Sequence, residues 1–326
     1  MNKVRLKRCG LEVSSFGLGT LTLGGSQLRL SFDLGAEIVC HAIEKGINLF
    51  DTAEYYKTYE YLRRGFRLAE ERLPGFKAED MTVVSKSYAR SYDEMLSAIE
   101  DAREALGRER IEIFLLHELR SKDDFNSREG AWQALKDAKK RGHVKGIGLS
   151  THHVDVCEMA AGIEELDLVF TLINRRSMGI RRGNEASTKE EMLKAIRACR
   201  ADGKDIFSMK VFGGGNLAGE YQASLKYILS IPEISSRMVG FSSNKEIDEL
   251  CDFLEGNMAP GYQPDTKHKK IMVDQSDCEG CGSCKAVCPQ GAISWNSRGL
   301  AEIDTKLCIT CGYCAYACPV RAIIML

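Results

Sequence analysis

The sequence predicts an α/β protein in which a large barrel of eight parallel βα units is followed by a small α+β domain. Three observations predict it. Over residues 1–256, short β-rich runs alternate with amphipathic stretches at roughly thirty-residue intervals, as parallel βα units do. There are eight such runs, the number that closes a (β/α)8 TIM barrel, whereas a doubly wound open sheet suits fewer strands. Eight of the thirteen cysteines then fall within the last fifty residues, which marks a second unit of different construction.

In chain order, residues 4–13, with Cys9 and Gly10 at the turn, read as a hairpin plugging the barrel floor. Barrel strands are expected at 15–19, 47–52, 81–87, 111–117, 144–150, 168–173, 206–212 and 238–242. The segments between them are helical by period. Over 92–106, for example, Met95, Leu96, Ile99, Ala102 and Leu106 form one apolar stripe that belongs to the core. Residues 257–269 are the expected linker, next to Gly256 and carrying Pro260, Gly261 and Pro264; its basic run from Lys267 to Lys270 reads as a solvated connector. Residues 270–326 make the small domain.

The chain has 326 residues, is 44% apolar and carries a formal net charge of -1. It therefore has a sizeable core and no bulk field to draw it to nucleic acid or a membrane surface. No apolar run reaches membrane length, and no apolar leader follows the basic start, so a reducing cytoplasm is the expected location. Cys9, Cys40, Cys157, Cys199 and Cys251 are scattered and read as small buried hydrophobes.

The clustered cysteines repeat one pattern. Cys278, Cys281, Cys284 and Cys288 precede Pro289; Cys308, Cys311, Cys314 and Cys318 precede Pro319. Each copy reads C-x2-C-x2-C-x3-C-P, the ligand spacing of [4Fe–4S] clusters. Three cysteines two residues apart can wrap three corners of a cube, but so short a loop cannot reach the fourth. Paired zinc sites usually lack the trailing C-x3-C-P, which leaves zinc as the weaker alternative. Over about residues 270–326 the stretch resembles a bacterial two-cluster ferredoxin domain. That resemblance implies two [4Fe–4S] clusters with exchanged fourth ligands. Cys278, Cys281, Cys284 and Cys318 would hold the first, and Cys308, Cys311, Cys314 and Cys288 the second. The apolar runs 292–295 and 322–324 are its expected short strands.

In such barrels the chemistry sits at the C-terminal strand ends. Those ends supply Asp51 and Tyr56 after the second strand, Lys86 at the third and His117 at the fourth. A carbonyl being reduced needs a proton on oxygen as hydride reaches carbon, and a tyrosine whose pKa falls from ~10 can give it. A neighbouring lysine favours the phenolate, Asp51 keeps that lysine charged, and His117 orients the substrate oxygen or relays the proton.

At these residues the chain resembles the aldo-keto reductase family. Gly17-Leu18-Gly19-Thr20 is similar to its first strand, and Gly46-Ile47-Asn48-Leu49-Phe50-Asp51-Thr52-Ala53 with Tyr56 to its active-site signature. Val83-Val84-Ser85-Lys86 and Leu115-Leu116-His117 carry its lysine and histidine, and Lys145-Gly146-Ile147-Gly148-Leu149-Ser150 is similar to its second signature. The resemblance implies Tyr56 as general acid, Lys86 as the group that tunes it, Asp51 as the lysine's partner and His117 as orienter. It also implies a small-molecule carbonyl or alcohol substrate and NADP(H) or NAD(H) as cofactor. Gly19, Thr20, Ser150, Thr151 and Lys210 would contact that cofactor. A pyrophosphate would lie under Phe212, Gly213, Gly214 and Gly215, and a phosphate at Ser242 and Asn244, with Lys245 the nearest cation for a 2′-phosphate.

The chain also departs from that pattern. Thr151 stands for the family's Asn, Phe170 near its Gln, and Met209 where an aromatic ring often stacks on the nicotinamide. A phenyl ring cannot hydrogen-bond an amide. Arg175, Arg176, Arg181 and Arg182 share one loop and can clamp an anion, dock an electron partner or stand solvated.

Hydride carries two electrons and a [4Fe–4S] cluster takes one, a mismatch usually bridged by a flavin. No clear flavin motif is present, although barrel phosphate loops can host FMN. Three readings follow. One is a reductase whose clusters relay electrons to or from a redox partner protein. Another is an electron-transfer module whose barrel is a docking scaffold. In the third, the barrel holds a different redox cofactor.

Overall fold

Parallel barrel strands are buried on both faces, and so are encoded as nearly continuous apolar runs. The computed structural model describes residues 1–25, 27–266, 269–308 and 312–326. In it, Phe16–Gly19, Leu49–Asp51, Thr82–Ser87, Ile111–Leu116, Val144–Thr151, Leu168–Leu172, Asp205–Met209 and Ser236–Val239 close into one parallel barrel in that order. All eight expected strands are present. The seventh and eighth end earlier than expected, which leaves Phe212 and Ser242 in the loops beyond them.

Leu49, Val84, Ile113, Leu115, Phe170 and Phe207 pack inside the barrel. The antiparallel hairpin of Lys3–Arg5 and Glu12–Ser14 adds Leu6, Leu11 and Val13 to the same cluster, so it plugs the floor as expected. The helix Tyr92–Leu106 shows how the outer layer is specified. A Ser91–Glu94 capping box opens it, and Gly107 closes it with φ 63°. Its buried stripe is Met95, Ala98, Ile99, Ala102 and Leu106, with Leu96 only partly covered.

The C-terminal domain has two antiparallel strand pairs, Ile271–Val273 with Ile323–Met325 and Ile293–Trp295 with Ala301–Ile303. Two short helices, Ser283–Ala286 and Tyr313–Ala317, each follow a left-handed glycine. Sequence reading found one strand of each pair. Their partners, Ile271–Val273 and Ala301–Ile303, are too short to show a period.

This domain docks on the C-terminal mouth of the barrel. The Met325 N–H donates to the Gly214 carbonyl at 2.8 Å, and the Asn216 side-chain amide donates to the Ile323 carbonyl at 2.8 Å. Met178 and Leu217, from barrel loops, complete its small core. At Gly215 a Cβ would lie 1.9 Å from the Met325 carbonyl oxygen, so the approach requires glycine. Within the linker, Tyr262 Oη donates to Glu249 at 2.6 Å and Lys269 pairs with Glu246 at 2.6 Å, tying it at two points to the helix Asn244–Glu255, while Lys270 is exposed. Lys267 and His268 lie outside the described residues. Among the described residues no helix is long and apolar enough to cross a membrane.

Candidate active site

The ends of barrel strands two to four gather Asp51, Tyr56, Lys86 and His117 around one cavity at the mouth. Asp51 ends strand two, Lys86 lies in strand three, His117 follows strand four, and Tyr56 sits on the single turn Glu54–Tyr56. Lys86 Nζ is buried and donates to Asp51 Oδ1 at 2.5 Å and to the Thr52 carbonyl at 2.6 Å. It lies 4.8 Å from the centre of the Tyr56 ring. Tyr56 Oη is 3.5 Å from His117 Nε2. Tyr88, two residues past Lys86, stacks on the His117 ring at 4.3 Å.

Burial pushes the Lys86 pKa down and the Asp51 pKa up, and each partner opposes the other's shift. An ion pair with two strong hydrogen bonds is the outcome. Burial, and then the charges of Lys86, Arg128 and Lys210, hold His117 well below its ordinary value, so it is a neutral imidazole. Its Nδ1 has no partner among the described residues. Tyr56 corrects the expected direction. Burial, followed by the Asp51 carboxylate and then Tyr88, Asp277 and Glu118, drives the phenol well above its ordinary value. The Lys86 ammonium is engaged by Asp51 and Thr52, which leaves little of its field for the phenol.

The cofactor side departs further. Thr20 faces away from the cavity: its hydroxyl donates to the Asp51 carbonyl at 3.0 Å and meets Thr58 at 2.7 Å, bracing the end of strand two. Gly19, Ser150 and Thr151 do line the cavity. Ser150 Oγ accepts the Glu118 N–H at 2.8 Å, and Thr151 Oγ1 donates to the Leu119 carbonyl at 2.7 Å, so that hydroxyl proton is committed. Phe170 and Met209 line the cavity with carbon and sulfur. Lys210, at φ 60°, pairs with Asp277 of the C-terminal domain at 3.2 Å. Phe212 stacks on Tyr221 at 5.0 Å. Gly213 turns the loop at φ 57°, and Gly214 and Gly215 carry the last strand.

At the last helix a carboxylate occupies ground expected for a phosphate. The Ser242 N–H donates to Glu246 Oε2 at 2.6 Å. Asn244 is the first helical residue, and exposed Lys245 stands 3.8 Å from Glu249. The four arginines form no clamp. Arg175 and Arg176 pair with Glu220, Arg181 with Glu279 at 3.3 Å, and Arg182 with Glu158 at 2.9 Å.

The cysteines fit cluster ligation. Burial, with the neighbouring Cys318, Cys278 and Cys281 thiols, pushes the Cys284 thiol up, so those three lie near Cys284. Cys288, Cys308 and Cys314 line one small cavity, and Cys311 lies outside the described residues. The N–H groups of Ala301, Ala292 and Ala322 donate to Sγ of Cys278, Cys288 and Cys318 at 3.4, 3.3 and 3.2 Å, the support that thiolate ligands use.

Sequence reading missed Tyr88, His152, Glu246, Asp277 and Arg321, all of which line the cavity. A signal existed for the last of them. The first cysteine repeat ends Cys288-Pro289-Gln290-Gly291-Ala292-Ile293 and the second Cys318-Pro319-Val320-Arg321-Ala322-Ile323, so an arginine replaces a turn glycine.

Residues 15–226 match the model of the aldo/keto reductase family, and residues 270–319 that of a 4Fe-4S dicluster domain. The chain is 31% identical over 166 residues to an uncharacterized oxidoreductase, YtbE, of Bacillus subtilis, a match covering 48% of this chain and 54% of that one. It is 28% identical over 152 residues to the methylglyoxal reductase DkgB of Escherichia coli O157:H7, covering 46% of this chain and 52% of that one. The chain thus spans about half the length of these two curated relatives. Among solved structures, a putative aldo-keto reductase from Pseudomona aeruginosa superposes with a TM-score of 0.63 at 22% identity, over 79% of this chain and 95% of that one. That likeness concerns the fold.

Proposed function

The chain belongs to the aldo/keto reductase family, and from that premise we propose that it reduces a small carbonyl compound to its alcohol with a nicotinamide dinucleotide bound in the mouth cavity. The observation that carries this reading is the joined geometry of Tyr56, His117, Lys86 and Asp51. Tyr56 Oη holds the proton that the carbonyl oxygen receives. Neutral His117 can accept from the phenol or donate to the substrate oxygen, and so fixes where that oxygen sits. The Lys86–Asp51 pair lies beneath the phenol, with Lys86 Nζ 4.8 Å from the ring centre, and fixes the floor on which Tyr56 sits. Burial keeps the phenol protonated, so Tyr56 carries the proton that the carbonyl oxygen needs. The resemblance to DkgB, named a methylglyoxal reductase, supports a small carbonyl as substrate. Glu246 holds the Ser242 N–H, which removes that donor from a 2′-phosphate and supports NADH over NADPH.

When bound, the dinucleotide supplies hydride and the two [4Fe–4S] clusters pass single electrons to or from a redox partner. Cys278, Cys281, Cys284 and Cys318 would hold one cluster, and Cys308, Cys311, Cys314 and Cys288 the other. A second reading keeps one observation on its side. Phe170 and the committed Thr151 hydroxyl leave little to grip a carboxamide, which suits a barrel that holds another redox cofactor or serves as a docking scaffold.

Tyr56→Phe is the test. Carbonyl turnover should fall by about 10²–10⁴-fold while NADH affinity stays within about twofold. Undiminished turnover would remove Tyr56 as the acid and pass the argument to the second reading.

A further inference from the structure

The first cysteine repeat closes its turn with Gly291 at φ 60°, and the second closes it with Arg321, also at φ 60°. A left-handed arginine is strained where glycine is not. Around Gly291 a Cβ would meet nothing within 4 Å, so the turn itself has no need of a side chain. Arg321 instead reaches from the C-terminal domain to the barrel mouth. It is 3% exposed and lines the cavity that contains Tyr56 and His117. Gly179 and Gly214 make room for it: a Cβ on either would lie 2.8 Å from Arg321 Cβ and 2.5 Å from its Nη1 respectively.

One acid is shared between two cations. Arg321 Nη2 donates to Asp277 Oδ2 at 2.8 Å, and Lys210 Nζ donates to the same oxygen at 3.2 Å. Asp277 therefore serves two cations. Glu118 pairs with Arg120 and accepts from Tyr88, while Asp274 accepts from the neutral Ser276 and Gln27, and no hydrogen bond joins either acid to Arg321 among the described residues. Arg321 Nε is buried without a partner among the described residues. A buried guanidinium with unused donors, held beside a cavity at a cost in backbone strain, is built for an anion that arrives with the ligand.

We propose that Arg321, with Lys210 beside it, is an oxyanion-binding subsite of the mouth cavity, contributed across the domain boundary by the second cysteine repeat. The oxyanion is either the diphosphate of a dinucleotide or the carboxylate of an acidic carbonyl substrate. Binding such a ligand ties the C-terminal domain to the barrel, because the anion touches both. The subsite needs only that the cavity takes an anionic ligand, so it stands or falls separately from hydride transfer.

The test uses full-length protein prepared anaerobically, with iron content and melting temperature verified, and reads binding without turnover. NADH and inorganic pyrophosphate probe the diphosphate, pyruvate the carboxylate, and reduced nicotinamide riboside serves as an uncharged control. Arg321→Gly restores the residue of the other repeat, relieves the strain and leaves Lys210–Asp277 as a balanced pair, so it should fold and keep its iron. It should weaken at least one oxyanion probe about tenfold or more and leave the control within about twofold. Arg321→Lys should recover part of the loss. A loss confined to NADH and pyrophosphate assigns the diphosphate, and one confined to pyruvate assigns the carboxylate. Unchanged affinity for every oxyanion probe, equal loss for the control, or no binding of any oxyanion by the wild type would each reduce Arg321 to a docking residue and overturn the proposal.

Discussion

The two cysteine repeats of the C-terminal domain share a spacing and a fold, and they face different worlds. The first ends in Gly291 and the strand Ile293–Trp295, where Trp295 is exposed under Lys285 at 5.7 Å. The second ends in Arg321 and the strand Ile323–Met325, whose backbone bonds to the glycine loop of the barrel. Past its last cysteine the first repeat is an ordinary domain surface, although Asp277 and Glu279 at its start pair with barrel residues. The tail of the second repeat has become a wall of the mouth cavity. The difference shows that a small domain appended to a barrel is read by its weakest symmetry: where the repeat is broken, the two domains work together.

The asymmetry can be broken most strongly at Asp277. Asp277→Ala would leave Lys210 and Arg321 as like charges in a buried place, at a cost of about 3–5 kcal/mol. Urea unfolding and limited proteolysis of the linker would report it as a loosened C-terminal domain. Next comes Gly215→Ala, which meets the Met325 carbonyl and needs φ 85°, and should cost about 3 kcal/mol. Its counterpart in the outer half, Gly291→Ala, bears only the φ penalty of about 1 kcal/mol, because nothing lies near. Equal melting points for these two variants would contradict the docking described above. The smallest effect belongs to Trp295→Ser, expected within about 0.5 kcal/mol because the ring is exposed. A large loss there would reveal that the outer half is also a contact surface.

Much of the barrel was legible because its signals are local. Eight buried parallel strands need eight apolar runs, and each was in place within a few residues at its ends. The four tetrad residues were legible because strand ends point to one mouth, whatever the loops do. The cysteine sets were legible because a cube imposes its spacing on a short loop. Two sets of groups expected near an anion have protein partners: the Ser242 N–H is held by Glu246, four residues on, and the four arginines by the acids Glu220, Glu279 and Glu158. The Tyr56 shift ran opposite to expectation, since a pKa follows burial and the sum of nearby charges.

By itself, the sequence determined the barrel and the second domain, and it marked the tetrad and the cysteines proposed as catalytic and ligating groups, because period, spacing and order are properties of a chain. Only the tertiary structure decided that the second domain closes the mouth of the first and that Asp277 and Arg321 enter the cavity. It alone decided, too, that Glu246 holds the Ser242 N–H and that the four arginines pair with carboxylates. Those outcomes depend on which polar groups find partners when two surfaces meet, and a buried polar group takes the partner that packing brings to it, however far away in sequence.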